Sequence, residues 1–195
     1  MSTETQSAFR IGSVAVIGAG PAGRAFAFRC AAAGFAVVLE DVMPSNLRRA
    51  QDGYAEYAGS AGAVGSLRYA LTVEDAVREA DLAIDFVPDE LESKLEIFSL
   101  LDRMAPPRTV LCTPTMALSI TDLASCTYRA ERCVGLRGDL GGGPVEVVRS
   151  RFLDDSAAGV VVEFFRGIGL EAVVVEDAEE PMLVKNLARA YVEGA

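Results

Sequence analysis

A chain of 195 residues with 51% hydrophobic content can bury one sizeable core, and its net charge of −10 opposes both the phosphates of nucleic acid and an anionic membrane surface. It contains no histidine, which excludes a Ser–His–Asp triad, a histidine-bound metal and an imidazole base. Cys30, Cys112, Cys126 and Cys133 form no Cys-x-x-Cys pair, so they read as free thiols in a reducing cytoplasm, and no metal site is expected. The first ten residues hold no apolar block and no uncharged apolar run approaches the ~20 residues of a membrane span, so neither a signal peptide nor a membrane partner is expected.

Residues 1–10 read as a polar arm. Ile11–Ile17 reads as a buried strand that runs into Gly18-Ala-Gly-Pro-Ala-Gly23. In a strand–turn–helix unit, Gly18 allows the tight turn, Gly20 lets the backbone approach a pyrophosphate, and Gly23 lets the helix pack against the strand. Pro21 suits the first helical turn, where its missing N–H removes no bond, and Gly34 suits the helix end. Phe35–Leu39 reads as the next strand, closed by Glu40 and Asp41, an acid placed to take the ribose hydroxyls of NAD.

Pro44 to about Tyr57 has helical spacing of Leu47, Ala50, Tyr54 and Tyr57, and Gly59–Gly65 reads as a loop. A short strand is expected over Leu67–Leu71, then a helix from a Thr72/Asp75 cap to Ala80. Asp81–Phe86 is the fourth strand. Asp89 is expected to cap the next helix, whose core face is Leu91, Leu95, Phe98 and Leu101 and which Pro106-Pro107 stops. Thr109–Cys112 is the fifth strand, Thr113–Thr115 a turn, and Ser119 with Asp122 a cap for a short helix to about Ser125. Strand–helix alternation to this point predicts a doubly wound, mostly parallel sheet with helices on both faces.

Beyond it the pattern changes. Cys133–Leu136 and Val145–Val148 read as short strands, Asp154 or Asp155 caps a helix to about Gly167, and Glu171–Glu176 reads as a last strand. Residues 11–178 therefore form the expected domain with extra C-terminal strands. Residues 179–195 read as a terminal helix opened by Pro181, whose apolar stripe of Leu183, Val184, Leu187 and Tyr191 suits either a homo-oligomer or partner contact or a return onto the chain's own sheet.

With these segments in place, residues 12–190 resemble the NAD-binding domain of the 3-hydroxyacyl-CoA dehydrogenase family. The matching pieces are VAVIGAGPAGRAFA, VVLED, ADLAIDFVPDELESKLEIFSLLDRMAPP, TPTMALSITDLA, ERCVGLR and VEVVRS, in family order. The resemblance implies a Rossmann-type domain, NAD as cofactor, and a reaction that oxidises a 3-hydroxyacyl thioester. It places Gly18, Gly20 and Gly23 on the pyrophosphate loop with Pro21 and Ala22, and Asp41 on the ribose acid with Val42 beside it. Val87, Pro88, Asp89, Lys94 and Thr113 fall with the cofactor site. Lys94 is read either as a cofactor residue or as an exposed helix lysine. Dinucleotide and a small acyl thioester are the implied partners. No counterpart of the family's separate helical domain is expected within these residues.

The departures fall on the chemistry. The family's catalytic His falls on Arg137, its substrate-binding Ser on Met116, the Asn two residues before that on Pro114, and the Asn-Pro after the His on Leu140-Gly141. Glu146, which pairs with the His in the family, is retained as the one catalytic candidate. Arginine stays protonated and is no general base, so Arg137 is expected to satisfy Glu146 as a structural ion pair. Asp139 is the other nearby acid, and Thr113, Thr115 and Ser119 the nearby hydroxyls, with Ser119 read as a cap. Three readings stay open: an oxidoreductase of this lineage with weakened or altered chemistry, a non-catalytic NAD-binding sensor or partner subunit, and an FAD protein, because GAGPAG followed by VVLE also resembles a flavin-binding opening.

Overall fold

The computed structural model describes residues 9–61 and 64–177. The terminal helix expected over residues 179–195, and residues 1–8 of the arm, lie outside the described residues. Eight strands form one sheet in the order β3-β2-β1-β4-β5-β6-β7-β8. They are β1 (Ser13–Ile17), β2 (Ala36–Glu40), β3 (Ser66–Ala70), β4 (Leu82–Asp85), β5 (Val110–Pro114), β6 (Cys133–Gly138), β7 (Val145–Arg149) and β8 (Ala172–Glu176). Strands β1 to β6 are parallel, β7 runs antiparallel to β6, and β8 runs parallel to β7. This is the expected doubly wound, mostly parallel sheet with added strands.

Helices cover both faces, which explains why the central strands are apolar throughout. Along β1, Val14 and Val16 join one cluster while Ala15 and Ile17 join the other. The first cluster is covered by α1 (Pro21–Ala32), α2 (Pro44–Ala61) and α6 (Asp155–Gly167). The second is covered by α3 (Val73–Val77), α4 (Leu91–Met104) and α5 (Ile120–Ser125). Phe26 of α1 stacks against Phe164 and Phe165 of α6 at centroid distances of 6.3 and 6.2 Å, tying the two crossover helices together.

Local signals place most helix starts. Thr72 accepts from Asp75 N–H, Ser119 from Asp122 N–H, and Asp154, rather than Asp155, from Ser156 N–H. Pro21 is the first residue of α1. Other boundaries differ. Helix α2 runs to Ala61, past the expected end near Tyr57, and α3 stops at Val77. The first two residues of the turn expected at Thr113–Thr115 are still strand, because Thr113 and Pro114 pair with Gly135 and Leu136 of β6. Thr115 N–H reaches Leu136 O, so Pro114 turns its nitrogen the other way, towards β4, whose pairing has already ended at Cys112. A proline is tolerated there since no ladder bond is lost.

The core face of α4 is rotated from the expected one. Its buried residues are Lys94, Ile97, Phe98, Leu101 and Asp102, while Leu91 and Leu95 are only partly buried. All four cysteines are free thiols, and only Cys126 is exposed. Burial pushes the Cys30, Cys112 and Cys133 thiols up, Cys133 to about 12, which leaves them protonated packing groups. Among the described residues no helix is long and apolar enough to cross a membrane.

Candidate functional site

The carboxyl ends of β1, β2 and β4 meet where the strand order reverses, the place where open α/β sheets take ligands. Gly18 has φ of +100°, and a Cβ there would meet Phe86 O at 3.3 Å. A Cβ on Gly23 would collide with Gly18 O, so α1 sits this close to β1 only because that position is glycine. Gly20 is the N-cap of α1 and has open space where a Cβ would be. No side chain caps this helix, which leaves first-turn N–H groups and the positive helix end for an anion.

Two bonds lock this turn to the second strand. Gly18 N–H donates to Glu40 O at 2.8 Å, and Ala19 N–H donates to Asp41 Oδ2 at 2.8 Å. Asp41 also accepts from Met43 N–H on Oδ1 at 2.8 Å and from Asn46 Nδ2 on Oδ2 at 3.0 Å. Asp41 is thus an anchor of the glycine turn as well as a ribose candidate. Glu40 is 3% exposed, and its Oε1 has no hydrogen-bond partner. Burial first, and then the charge of Asp41, push its carboxyl up to about 7.

These groups open onto a cavity of about 490 Å³. Its walls include Gly18, Gly20, Asp41, Val42, Val87 and Pro88, six of the residues placed at the cofactor site from the sequence. They also include Glu40, Asn46, Val73, Ser93, Glu96, Ile97 and Leu100. The last four lie at i, i+3, i+4 and i+7 on α4, a spacing that marks one helix face and is readable in the sequence. An anion-ready helix end, a glycine cradle open at Gly20, a carboxylate at the end of β2 and an apolar slot beside it fit a dinucleotide.

Pro21, Ala22, Gly23, Asp89, Lys94 and Thr113 are not among the cavity walls. Lys94 is not the exposed helix lysine of the second reading. It is 1% exposed, and its Nζ donates to Asp85 Oδ1 at 2.7 Å, inside the protein below the strand ends. Burial pushes the Asp85 carboxyl up, against the pull of the Lys94 ammonium. The buried Thr113 hydroxyl lies against the Asp85 carboxyl and, like Lys94, favours its charged form. Asp89 does not cap α4, whose N-cap is Glu90. Its Oδ2 accepts from Met116 N–H at 2.9 Å and bridges to the loop after β5 instead.

The expected Arg137–Glu146 ion pair is not formed. The two residues stand opposite each other in the β6/β7 register, yet Glu146 is exposed and Arg137 Nη2 lies 3.4 Å from Asp177 Oδ1. Asp177 is the better partner because it is already buried and organised. Its Oδ2 accepts from Ser119 Oγ at 2.6 Å and from Thr121 N–H at 2.9 Å, and its side chain is 4% exposed. Sequence reasoning missed Asp177, which lies 40 positions from Arg137 with no local signal to join them. Asp139 is exposed and turned into its own loop, where its Oδ1 accepts from Gly141 N–H at 2.8 Å.

Fold and cavity together define a dinucleotide-binding α/β domain of the Rossmann type. Residues 13–178 match the family model described as 3-hydroxyacyl-CoA dehydrogenase, NAD binding domain, and the chain belongs to this family. Its cofactor is NAD, and the flavin reading is set aside. A probable 3-hydroxybutyryl-CoA dehydrogenase of Bacillus subtilis (strain 168) is 31% identical over 183 residues, 86% of this chain and 63% of the relative. A 5-formyl-3-hydroxy-2-methylpyridine 4-carboxylate 5-dehydrogenase of Mesorhizobium japonicum is 30% identical over 192 residues, 90% of this chain and 60% of the relative. The crystal structure of a dehydrogenase of that second kind, described as an NAD+ dependent dismutase, superimposes with a TM-score of 0.77 at 28% identity over 94% of this chain and 64% of that one. The chain thus spans about three fifths of the length of these curated relatives.

Proposed function

We propose that the chain is the NAD-binding part of an oxidoreductase in which the family's hydroxyacyl chemistry is weakened or altered. The observation that carries this reading is the Arg137–Asp177 ion pair, with Glu146 exposed and in no ion pair among the described residues. When bound, NAD supplies a hydride acceptor. For the oxidation of a 3-hydroxyacyl thioester, the chain would have to supply a base for the hydroxyl proton and donors for the carbonyl oxygen that forms. Arg137 holds its proton throughout, so it is no base. Met116 and Pro114 have side chains that hydrogen-bond no substrate oxygen usefully. Glu146, with no ion pair among the described residues to orient or tune it, is a poorly placed proton acceptor.

The cofactor half is complete by contrast. Gly18, Gly20 and the N-terminus of α1 would hold the pyrophosphate, and Asp41 the adenosine ribose. Losing a positioned base typically costs about 10²–10⁴-fold in rate. Calorimetric titration with NADH should therefore give saturable binding, while turnover of 3-hydroxybutyryl-CoA with NAD stays at least about 10²-fold below a family enzyme that carries the histidine. Robust oxidation by the wild-type chain would overturn this reading. Binding with no turnover of any hydroxyacyl thioester would move it to a non-catalytic NAD sensor or partner subunit, which the neutralised Arg137 site favours as the second reading.

A further inference from the structure

The acid that sequence motifs assign to the ribose is nearly saturated by the protein itself. An ionised carboxylate offers about four acceptor positions. Three of those on Asp41 are taken, by Ala19 N–H, Met43 N–H and Asn46 Nδ2, and both bonds to Oδ2 are among them. One position remains, on Oδ1. The adenosine ribose of NAD offers two hydroxyl donors, so Asp41 in this arrangement accepts one of them and leaves the other.

Glu40 stands beside it with the opposite problem. Its side chain is 3% exposed and lines the same cavity, yet Oε1 is buried and has no partner. Among the described residues no group donates to Oε1, and the strand uses the Glu40 backbone, which pairs with Ile17 and Ala70. A buried polar atom without a hydrogen bond weakens the fold unless something supplies the missing donor. The other charged cavity groups supply none, because Asp41 and Glu96 are acids, and the Arg49 guanidinium on α2 is turned to Asn46 Oδ1 at 3.2 Å.

We propose that Glu40 is the second acceptor for the adenosine ribose of NAD, completing a diol site that Asp41 fills only by half. The inference rests on the NAD reading of the cavity. It makes Glu40 a positioning and specificity residue for the cofactor. Burial, and then the charge of Asp41, push this carboxyl up to about 7 while no donor is in place. Hydroxyl donors favour its charged form, so binding releases a proton and affinity rises with pH through neutrality.

The test measures binding, by calorimetry or NADH fluorescence, of NAD(H) and its 2′-deoxy and 3′-deoxy adenosine-ribose analogues to the full chain and to Glu40→Leu and Glu40→Gln. In wild type, removal of either hydroxyl should weaken binding about tenfold. In Glu40→Leu, NAD should bind about tenfold more weakly, and one of the two deoxy penalties should vanish while the other persists. Glu40→Gln, which keeps one acceptor oxygen, should recover part of the affinity and lose the pH dependence. Both penalties surviving in Glu40→Leu would overturn the inference, as would a penalty that instead moves to a hypoxanthine analogue, which would make Glu40 a reader of the base. A wild-type chain that binds no NAD would overturn the cofactor reading itself, and the inference with it.

Discussion

Two clusters of charge, one at the carboxyl ends of β1, β2 and β4 and one between β6, α5 and the end of β8, meet their partners in different ways. At the β1–β2–β4 end, Glu40 lacks a partner for Oε1 and faces a cavity beside Asp41. At the β6–α5–β8 end, Arg137 is tied to Asp177, which is tied in turn to Ser119 and Thr121. The first end leaves a buried acid oxygen without a donor, and the second ties its arginine to a buried acid through Nη2 while Arg137 Nε has no partner among the described residues. A buried polar atom without a partner costs stability at either end, and what sets Glu40 apart is that it lines the cavity, where a ligand can supply the missing donor.

Between the two ends, Lys94 of α4 and Asp85 at the end of β4 form a buried pair. Lys94→Met leaves a buried carboxylate without its counterion and should cost about 3–5 kcal/mol in urea unfolding. The double variant Asp85→Asn/Lys94→Met should recover most of that loss. If the single variant is as stable as wild type, Asp85 does not depend on Lys94 as its counterion. Gly23→Ala tests the cavity end alone. Its new methyl meets Gly18 O, so the glycine turn must shift, and NADH affinity should fall by more than about tenfold on calorimetry while the 119–149 region keeps its packing.

A smaller effect separates the two ends by pH. Burial pushes the folded Glu40 carboxyl up from its ordinary 4.5 to about 7, so folding favours its protonated form. The protein without ligand should lose stability as pH rises from about 4.5 to 7, by roughly 2–3 kcal/mol, and Glu40→Gln should abolish that loss. Thermal melts of the two proteins should nearly coincide at pH 5 and diverge at pH 8, with the variant the more stable. Coincidence at both pH values would mean that Glu40 is already compensated. The least effect is expected at the other end. Arg137→Ala removes a half-exposed partner from Asp177, which keeps two donors, so the cost should be about 1 kcal/mol with NADH affinity unchanged. Arg137→His should not bring hydroxyacyl oxidation to family rates, since Met116 and Pro114 remain.

Much of this was legible in the residues themselves. The glycine turn, the strand–helix alternation and the caps at Thr72, Ser119 and Asp154 depend on backbone geometry within a few positions, so short sequence spans encode them. The cavity face of α4 was also legible, since Ser93, Glu96, Ile97 and Leu100 share one side of a helix. Side-chain partnership was not. Asp89 offers the chemistry of a helix cap, but the packed loops bring Met116 N–H to it instead. Lys94 has the composition of a surface residue, and only the rotation of α4 against the sheet buries it on Asp85. Arg137 faces Glu146 in register, yet the end of β8 delivers Asp177 as a buried and already hydrogen-bonded acceptor. Which acid an arginine chooses depends on the solvation and prior bonds of each, and those are properties of the assembled surface, as is the partnerless state of Glu40.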